Sequence, residues 1–233
     1  MIHLLVFGPH PDDLDIGLGG TIARHTALGM RVGLCDLTAG EMGSNGTPEE
    51  RLQEAEAARI VLGAEWRENL RWADRRIGKD PAHLDEAVSF IRRHRPPVVA
   101  IPYWTDRHPD HVAASALLAE ASFNAGLSRN VADGEAWKVD WICYYFINDS
   151  AAPSFVVDVS EYYDRKQAAL ACHASQFTPP QADGPVATRL NTPLFLQLIE
   201  SRDAQFGALA GVHRAEGFVV REPIVRPSLL KTL

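Results

Sequence analysis

The chain has 233 residues, of which 46% are apolar and 23% charged, and its formal net charge is -7. This length and composition are typical of a single globular domain covering residues 1–233, and the apolar runs fall short of the roughly 20 residues that span a bilayer. A negative net charge disfavours nucleic acid or an anionic membrane as the main partner. Because Met1 leads directly into a predicted strand, without a basic or cleavable leader, we expect a cytoplasmic protein.

Apolar strands and helical segments alternate through the first half of the chain. The pattern predicts strands at residues 2–7, 31–38, 65–72 and 98–103, and helices at residues 20–28, 47–62, 80–95 and 110–124. The second of these helices begins with a capping box at Thr47 and has Pro48 at its first helical position. Strands that alternate with helices predict a Rossmann-like α/β fold, in which helices cover both faces of a mostly parallel sheet.

The second half of the chain predicts a smaller portion of strands and helices. Its strands are expected at residues 139–147, 154–159 and 215–220, and its helices at residues 161–172 and 192–209. Residues 173–191 are rich in Pro, Gln, Asp and Gly and have no hydrophobic period, which predicts a long loop. Loops of this length in compact domains usually serve a site or are disordered, so a mobile lid over the active site is the functional interpretation.

Two clusters of histidine and aspartate follow strands of the predicted sheet. Residues 8–17 read GPHPDDLDIG after the first strand, and residues 105–111 read TDRHPDH after the fourth. Ligands of α/β proteins bind at the carboxyl ends of the strands. Imidazole and carboxylate suit zinc and similar metals, and a catalytic site keeps one position open for water. We therefore predict a metal-dependent hydrolase in which one aspartate of the HPDD motif binds the metal and the other is the base.

Two other enzyme classes fit the chain less well. The first strand is not followed by G-x-G-x-x-G, and carboxylates stand where the pyrophosphate of a dinucleotide would approach. The chain also lacks G-x-S-x-G, and Ser44 lies in a predicted loop rather than at a turn between strand and helix. The residues alone leave open which of the two aspartates binds the metal. They also leave open whether His108 or His111 is a metal ligand.

The sequence resembles the LmbE-like, or PIG-L, family of zinc-dependent N-acetylglucosamine deacetylases. Within that family it is most similar to the deacetylases of bacillithiol biosynthesis, which act on N-acetyl-alpha-D-glucosaminyl L-malate. The resemblance rests on the HPDD and DRHPDH motifs, on SNGT at 44–47 followed by Arg51, on SQF at 175–177 and on AEGF at 215–218. These motifs span nearly the whole chain, so their combination is more specific than either metal motif.

The resemblance implies a role for each residue of the two clusters. It implies that the zinc ligands are His10, Asp13 and His111, and that Asp12 is the general base. His108, oriented by Asp110, would stabilise the oxyanion and help to protonate the leaving amine. The implied cofactor is Zn²⁺, with Fe²⁺ as an alternative in the cell.

The resemblance also implies a small N-acetylglucosaminyl substrate, whose malate group carries two carboxylates. Guanidinium groups bind carboxylates bidentately, so Arg51 and Arg107 are the candidates to bind malate, and Tyr145 is a weaker one. Asp15 stands where the family commonly has glutamate, near the sugar or behind the metal ligands, and this departure leaves its contact open.

Several alternatives remain at this stage. The same reaction on a chitooligosaccharide, a mycothiol-type precursor or a thiol conjugate would use the same site. A metal-binding regulatory protein without turnover is the alternative from another class, and intact Asp12 and His108 argue against it. The resemblance further implies a homo-oligomer, with the hexamer as one form, although the sequence itself indicates no interface.

Overall fold

The structure is a computed structural model that describes residues 1–180, 182 and 184–225. The strands of this part of the chain are β1 (Leu4–Gly8), β2 (Val32–Thr38), β3 (Trp66–Trp72), β4 (Val98–Pro102), β5 (Trp141–Tyr145), β6 (Phe155–Asp158) and β7 (Ala215–Val219). The helices are α1 (Asp13–Ala27), α2 (Pro48–Leu62), α3 (Ala82–His94), α4 (Pro109–Ala125), α5 (Tyr163–Cys172), α6 (Ala174–Phe177) and α7 (Pro193–Ala210). None of the described helices is both long and apolar enough to cross a membrane.

The strands form one sheet in the order β3-β2-β1-β4-β5-β7-β6. Parallel pairs join β1 to β2 and β4, β2 to β3, and β4 to β5, whereas β7 runs antiparallel to both β5 and β6. The order of the strands reverses between β1 and β4, and ligands bind at such a reversal in open α/β sheets. The predicted α/β fold with a mostly parallel sheet is confirmed, and the two clusters follow the two strands that flank this point.

Each face of the sheet has its own apolar core. Leu4 and Val6 of β1 pack on one face with residues of α1, α2 and α5. Leu5 and Phe7 pack on the other face with residues of α3 and α4. Successive side chains of a strand point to opposite faces, so a strand that is buried on both faces has a continuous apolar sequence. This arrangement confirms the predicted helices on both faces.

Helix α1 begins earlier than the sequence predicted. The sequence predicted a start near Gly20. The helix in fact begins at Asp13 and is kinked at Leu18, where the backbone is not helical (φ -147°, ψ 27°). A Cβ on Gly17 would overlap the ring of Tyr145. This glycine therefore allows a close contact with β5 and does not mark the end of a loop.

A buried ion network joins the C-terminal portion of the fold to α1. Lys166 Nζ lies 2.6 Å from Asp203 Oδ2 and 2.7 Å from Glu216 Oε1, and all three side chains are fully buried. Glu216 also accepts hydrogen bonds from the backbone amides of Gly20 and Thr21, at 3.0 and 2.6 Å. These amides lie just after the kink, where helix α1 resumes, so the network fixes the direction in which α1 leaves the turn at residues 9–12.

The segment predicted as one long loop contains some regular structure. Residues 174–177 form α6, so the loop prediction was wrong there, while residues 181 and 183 lie outside the described residues. Further along, the side chain of Asn45 exchanges two hydrogen bonds with the backbone of Val186, at 3.0 and 2.8 Å. The segment is thereby tied to the loop after β2, and its role as a mobile lid stays a prediction.

Candidate active site

The sheet edge beside β1 and β4 holds a cavity of about 410 Å³. Residues from both sequence clusters, from the loop after β2 and from the segment after α6 line it. The predicted site residues that line this cavity are His10, Asp12, Asp13, Arg51, Arg107, His108 and His111. Fold and sequence thus bring most of the predicted site together in one place.

The three proposed metal ligands converge within this cavity. The turn that carries two of them closes locally, because His10 N donates a hydrogen bond of 3.0 Å to Asp13 Oδ2. Asp13 Oδ2 lies 2.9 Å from His10 Nδ1 and 3.2 Å from His111 Nε2. Ligand atoms bound to one tetrahedral zinc ion lie roughly 3.3 Å apart, given metal–ligand distances of about 2.0–2.2 Å. These two spacings suit one carboxylate and two imidazoles that share a divalent metal.

A carboxylate lies behind each of the two histidines. His10 Nε2 is 3.2 Å from Asp74 Oδ1, and His111 Nδ1 is 3.1 Å from Asp106 Oδ1. Carboxylates in this position fix the tautomer and orientation of metal-binding histidines. Neither aspartate had a role predicted from the sequence. Asp106 lies inside the DRHPDH motif and could have been found there, whereas Asp74 is 64 residues from His10 and only the fold brings them together.

Two groups of residues with closely spaced ligand atoms overlap with this site, and neither of them includes Asp13. Within each group, one ligand atom of every residue lies within 4.8 Å of the ligand atoms of the others. The first group is His10, His108 and His111, and the second is His10, Asp74 and Asp110. The second group meets the Nε2 side of His10, opposite the Nδ1 that faces Asp13. Because a neutral imidazole has one free lone pair, His10 cannot bind a metal on both sides. The Nδ1 side, where Asp13 joins both histidines, is the better metal position.

The charges of this cluster shift the titration of its members. Burial lowers the pKa of His10, but Asp13, Asp110 and Asp74 outweigh burial and raise this pKa well above its ordinary value. Burial likewise opposes the charge on His111, yet Asp13 and Asp106 raise its pKa to about 9. A raised pKa means that the imidazole holds a proton, and metal binding displaces that proton. Metal binding should therefore release protons and become tighter as pH rises.

Asp12 has a carboxylate oxygen that is available to a ligand. This residue precedes α1, but its side chain makes no capping hydrogen bond to the helix. Oδ1 lies 3.3 Å from Arg51 Nη2, whereas the buried Oδ2 has no hydrogen-bond partner among the described residues. A buried polar atom without a partner costs about 1–3 kcal/mol, so water or substrate at Oδ2 would remove an existing penalty. The orphaned oxygen fits a base that receives a proton from water.

Arg51 is a buried partner of Asp12 rather than an exposed helix charge. Its side chain is 6% exposed, and its Nη1 donates a hydrogen bond of 3.0 Å to the carbonyl of Gly40. Gly40 has a φ of +68°, and a Cβ there would overlap the guanidinium group. Glycine is therefore required at position 40 for both its backbone conformation and the packing of Arg51.

His108 is oriented by the backbone of Asp110 and not by its carboxylate. His108 is the N-cap residue of α4, and its Nδ1 accepts a hydrogen bond of 3.3 Å from the amide of Asp110. The Asp110 carboxylate instead accepts from the amide of Arg75, at 2.8 Å. Burial, followed by the charges of His10 and His111, lowers the pKa of His108. A neutral ring that accepts at Nδ1 carries its proton on Nε2, where it can donate to a substrate oxygen.

Asp15 does not line the cavity and instead supports the turn at residues 9–12. This fully buried carboxylate lies 3.0 Å from Arg67 Nη1 and 2.9 Å from His173 Nε2. Arg67 also donates hydrogen bonds to Asp36 and to the carbonyl of Pro11, within the turn itself. Of the two positions expected for Asp15, near the sugar or behind the proposed metal ligands, the structure shows the second, with Arg67 and His173 as its partners.

Tyr145 is also kept away from the cavity. It is fully buried, and its hydroxyl donates a hydrogen bond of 2.8 Å to the carbonyl of Phe7 at the end of β1. Burial, and then the charge of Asp13, raise the pKa of Tyr145 well above its ordinary value, so the hydroxyl stays protonated. Its position in a central strand explains why it packs in the core, and we assign it no contact with substrate.

The fold and the site together define a Rossmann-like α/β protein with a candidate His/Asp metal site at its ligand-binding edge. A family model described as PIG-L: GlcNAc-PI de-N-acetylase matches residues 5–122. The chain is 32% identical over 189 residues to diacetylchitobiose deacetylase from Thermococcus kodakarensis, which covers 75% of this chain and 70% of that protein. The chain belongs to the PIG-L family, as its motifs predicted, and it is a hydrolase of N-acetyl amides.

Two further comparisons agree with the family and the fold. The chain is 28% identical over 192 residues to the Bacillus anthracis protein named "Probable N-acetyl-alpha-D-glucosaminyl L-malate deacetylase 2", which covers 75% of this chain and 81% of that protein. Among solved structures, the conserved protein TT1542 from Thermus thermophilus has a TM-score of 0.89 and 39% identity, and the match covers 100% of both chains. The family model ends at residue 122, whereas the likeness to TT1542 also covers the C-terminal portion of the chain.

Proposed function

We propose that this enzyme removes the N-acetyl group of N-acetylglucosaminyl malate, giving glucosaminyl malate and acetate in bacillithiol biosynthesis. The observation that carries the reaction is the convergence of His10, Asp13 and His111 beside the unpartnered Oδ2 of Asp12. The names of the relatives support N-acetylglucosamine compounds as the substrate class. The choice of malate rests on cationic side chains at the cavity.

His10, Asp13 and His111 are the proposed metal ligands, and their donor types suit Zn²⁺, with Fe²⁺ as an alternative in the cell. When bound, the metal supplies a Lewis acid that polarises the amide carbonyl and lowers the pKa of a coordinated water. Asp106 and Asp74 hold the two imidazoles in the required orientation from behind.

The other residues of the cavity move protons and hold charge. Asp12 accepts a proton from water through Oδ2, while Arg51 holds its Oδ1. The oxygen of that water bonds to the acetyl carbon, and the Nε2–H of His108 donates to the carbonyl oxygen as it becomes negative. The C–N bond then breaks, acetate leaves, and the amine takes a proton. Because a neutral His108 would be left as an anion, the carboxyl group of Asp12 is the better source of this proton.

Arg107 is the better placed of the two arginines proposed for malate. It lines the cavity next to His108 and its side chain is exposed, so it is free to meet a carboxylate of the substrate. Arg51 lies deeper and is paired with Asp12. Diacetylchitobiose, the substrate named for the Thermococcus kodakarensis relative, is the second candidate. It carries no charge, and an exposed arginine at the cavity favours the malate compound over it.

Acetate release should be fastest from N-acetylglucosaminyl malate, compared with free N-acetylglucosamine and diacetylchitobiose. In the Arg107→Ala variant we expect KM for the malate compound to rise about 10–100-fold, since a hydrogen bond to a charged group contributes about 1.5–3 kcal/mol. The KM values for the two uncharged compounds should stay unchanged. Steady-state kinetics with all three substrates measure both effects.

Arg129→Ala is the matched control, because Arg129 is exposed and does not line the cavity. It should leave all three KM values as in the wild type. A wild-type preference for diacetylchitobiose would contradict the malate proposal while keeping the deacetylase reaction. An equal rise in KM for charged and uncharged substrates in Arg107→Ala would contradict the role of Arg107.

A further inference from the structure

Asp106 of the DRHPDH motif has more hydrogen-bond partners than a turn residue needs. Its carboxylate is 4% exposed and lies between the end of β4 and the start of α4. Its oxygen atoms accept from the amide of His108 at 2.8 Å and from the backbone and side-chain amides of Asn148, both at 3.0 Å, and lie 3.1 Å from His111 Nδ1. Three of these groups approach Oδ1 and one approaches Oδ2, so both oxygen atoms of the carboxylate are engaged.

This arrangement determines which nitrogen of His111 carries a proton. The backbone amide of His108 and the two N–H groups of Asn148 point at the carboxylate of Asp106, and such donors favour its ionised form. An ionised carboxylate can only accept, so Nδ1 of His111 donates to it. The lone pair of a neutral His111 is then on Nε2, which lies 3.2 Å from Asp13 Oδ2 on the metal side of the ring.

A purely local role would not require all of these contacts. Asp80, at the start of α3, makes the same local turn, because its Oδ1 accepts from the amide two residues later, at 2.9 Å. Asp106 makes that contact with His108 but also binds Asn148, which lies 42 residues away after β5. Asn148 in turn accepts a hydrogen bond from Arg189 of the segment after α6. Asp106 therefore joins three parts of the cavity wall.

We propose that Asp106 is the positioning residue of the second cluster, holding His111 in its metal-binding tautomer and fixing the backbone of His108 beside it. This inference rests on the proposed metal-dependent function. The role of Asp106 differs from the one expected of Asp110, which was to orient the ring of His108, and the Asp110 carboxylate instead accepts a hydrogen bond from the amide of Arg75. Asp106 itself touches neither substrate nor metal and acts through the two histidines.

The test compares metal affinity and stability in Asp106→Asn. The substitution keeps the volume but places an NH₂ group against donors, so the orientation of His111 is no longer fixed. We expect Zn²⁺ affinity, measured by competition with a chelator, to fall about 10–100-fold, as is typical when a carboxylate behind a metal ligand is lost. The matched control is Asp80→Asn, which should leave Zn²⁺ affinity unchanged. Melting of the metal-free proteins reports any general loss of stability.

The outcomes separate this inference from the proposed function. Zn²⁺ affinity of Asp106→Asn within twofold of the wild type would overturn the inference, even if the metal-free protein melts at a lower temperature. If this variant does not fold, Asn148→Ala decides, with an expected loss of threefold or more and an unchanged affinity as the overturning result. A wild-type protein that binds Zn²⁺ and releases acetate keeps the proposed function in every case, and one that binds no Zn²⁺ overturns both.

Discussion

Replacing Asp12 by asparagine lowers kcat for deacetylation by about 10²–10⁴-fold, the usual contribution of a general base, while the protein retains its metal. Asparagine keeps an oxygen that can accept from Arg51, so the substitution removes the basicity of Oδ2 with little change in packing. The metal stays because Asp13 Oδ2, and not Asp12, lies between the two histidines. Steady-state kinetics and metal content of the purified variant measure the two effects.

Asp13→Asn is the matched control for this experiment. It changes the neighbouring residue in the same way but should cost the protein its metal, because Asp13 is the proposed ligand. Retained turnover in Asp12→Asn would show that another group is the base. Loss of metal from Asp12→Asn, with retention in Asp13→Asn, would reverse the two assignments.

Replacing Lys166 by methionine lowers the free energy of unfolding by about 3–5 kcal/mol, because buried Glu216 loses its cation and buried Asp203 keeps only Arg202, at 3.1 Å. Lys166 is fully buried between Asp203 and Glu216, at 2.6 and 2.7 Å. Methionine has a similar length and leaves little empty space, so the effect reports the lost charge. Urea unfolding of the metal-free wild type and variant measures it.

Lys79→Met is the control for the loss of a lysine as such. Lys79 is exposed, and substitutions at such positions usually change stability by less than about 0.5 kcal/mol. A loss below about 1 kcal/mol in Lys166→Met would contradict the idea that this network holds α1 to the C-terminal portion.

The strands and the outline of the site could be predicted from the sequence because both depend on local pattern. The run at residues 2–7 is apolar throughout, apart from His3, because β1 is buried on both faces. The two histidine–aspartate clusters directly follow β1 and β4, which are neighbours in the sheet. The capping box is equally local, and both of its hydrogen bonds between Thr47 and Glu50 are present.

Other features depend on contacts between distant residues, which no local pattern reveals. His173 has no suitable partner near it in the sequence, yet it lies 2.9 Å from Asp15 in the folded protein. Asp74 reaches His10 in the same way, across 64 residues. Gly17 of α1 leaves room for the ring of Tyr145, which is 128 residues away in the sequence. The homo-oligomeric state and the cytoplasmic location stay predictions.

The most direct test of the central claim is a Zn²⁺ titration of metal-stripped protein with N-acetylglucosaminyl malate as substrate, in which acetate and free amine are both quantified. Activity should be absent at first and should rise until one Zn²⁺ is bound per chain, with acetate and amine formed in equal amounts. Full activity in the stripped protein would contradict the role of His10, Asp13 and His111. A Zn²⁺-saturated protein that releases no acetate from this compound, free N-acetylglucosamine or diacetylchitobiose would contradict the proposed deacetylation.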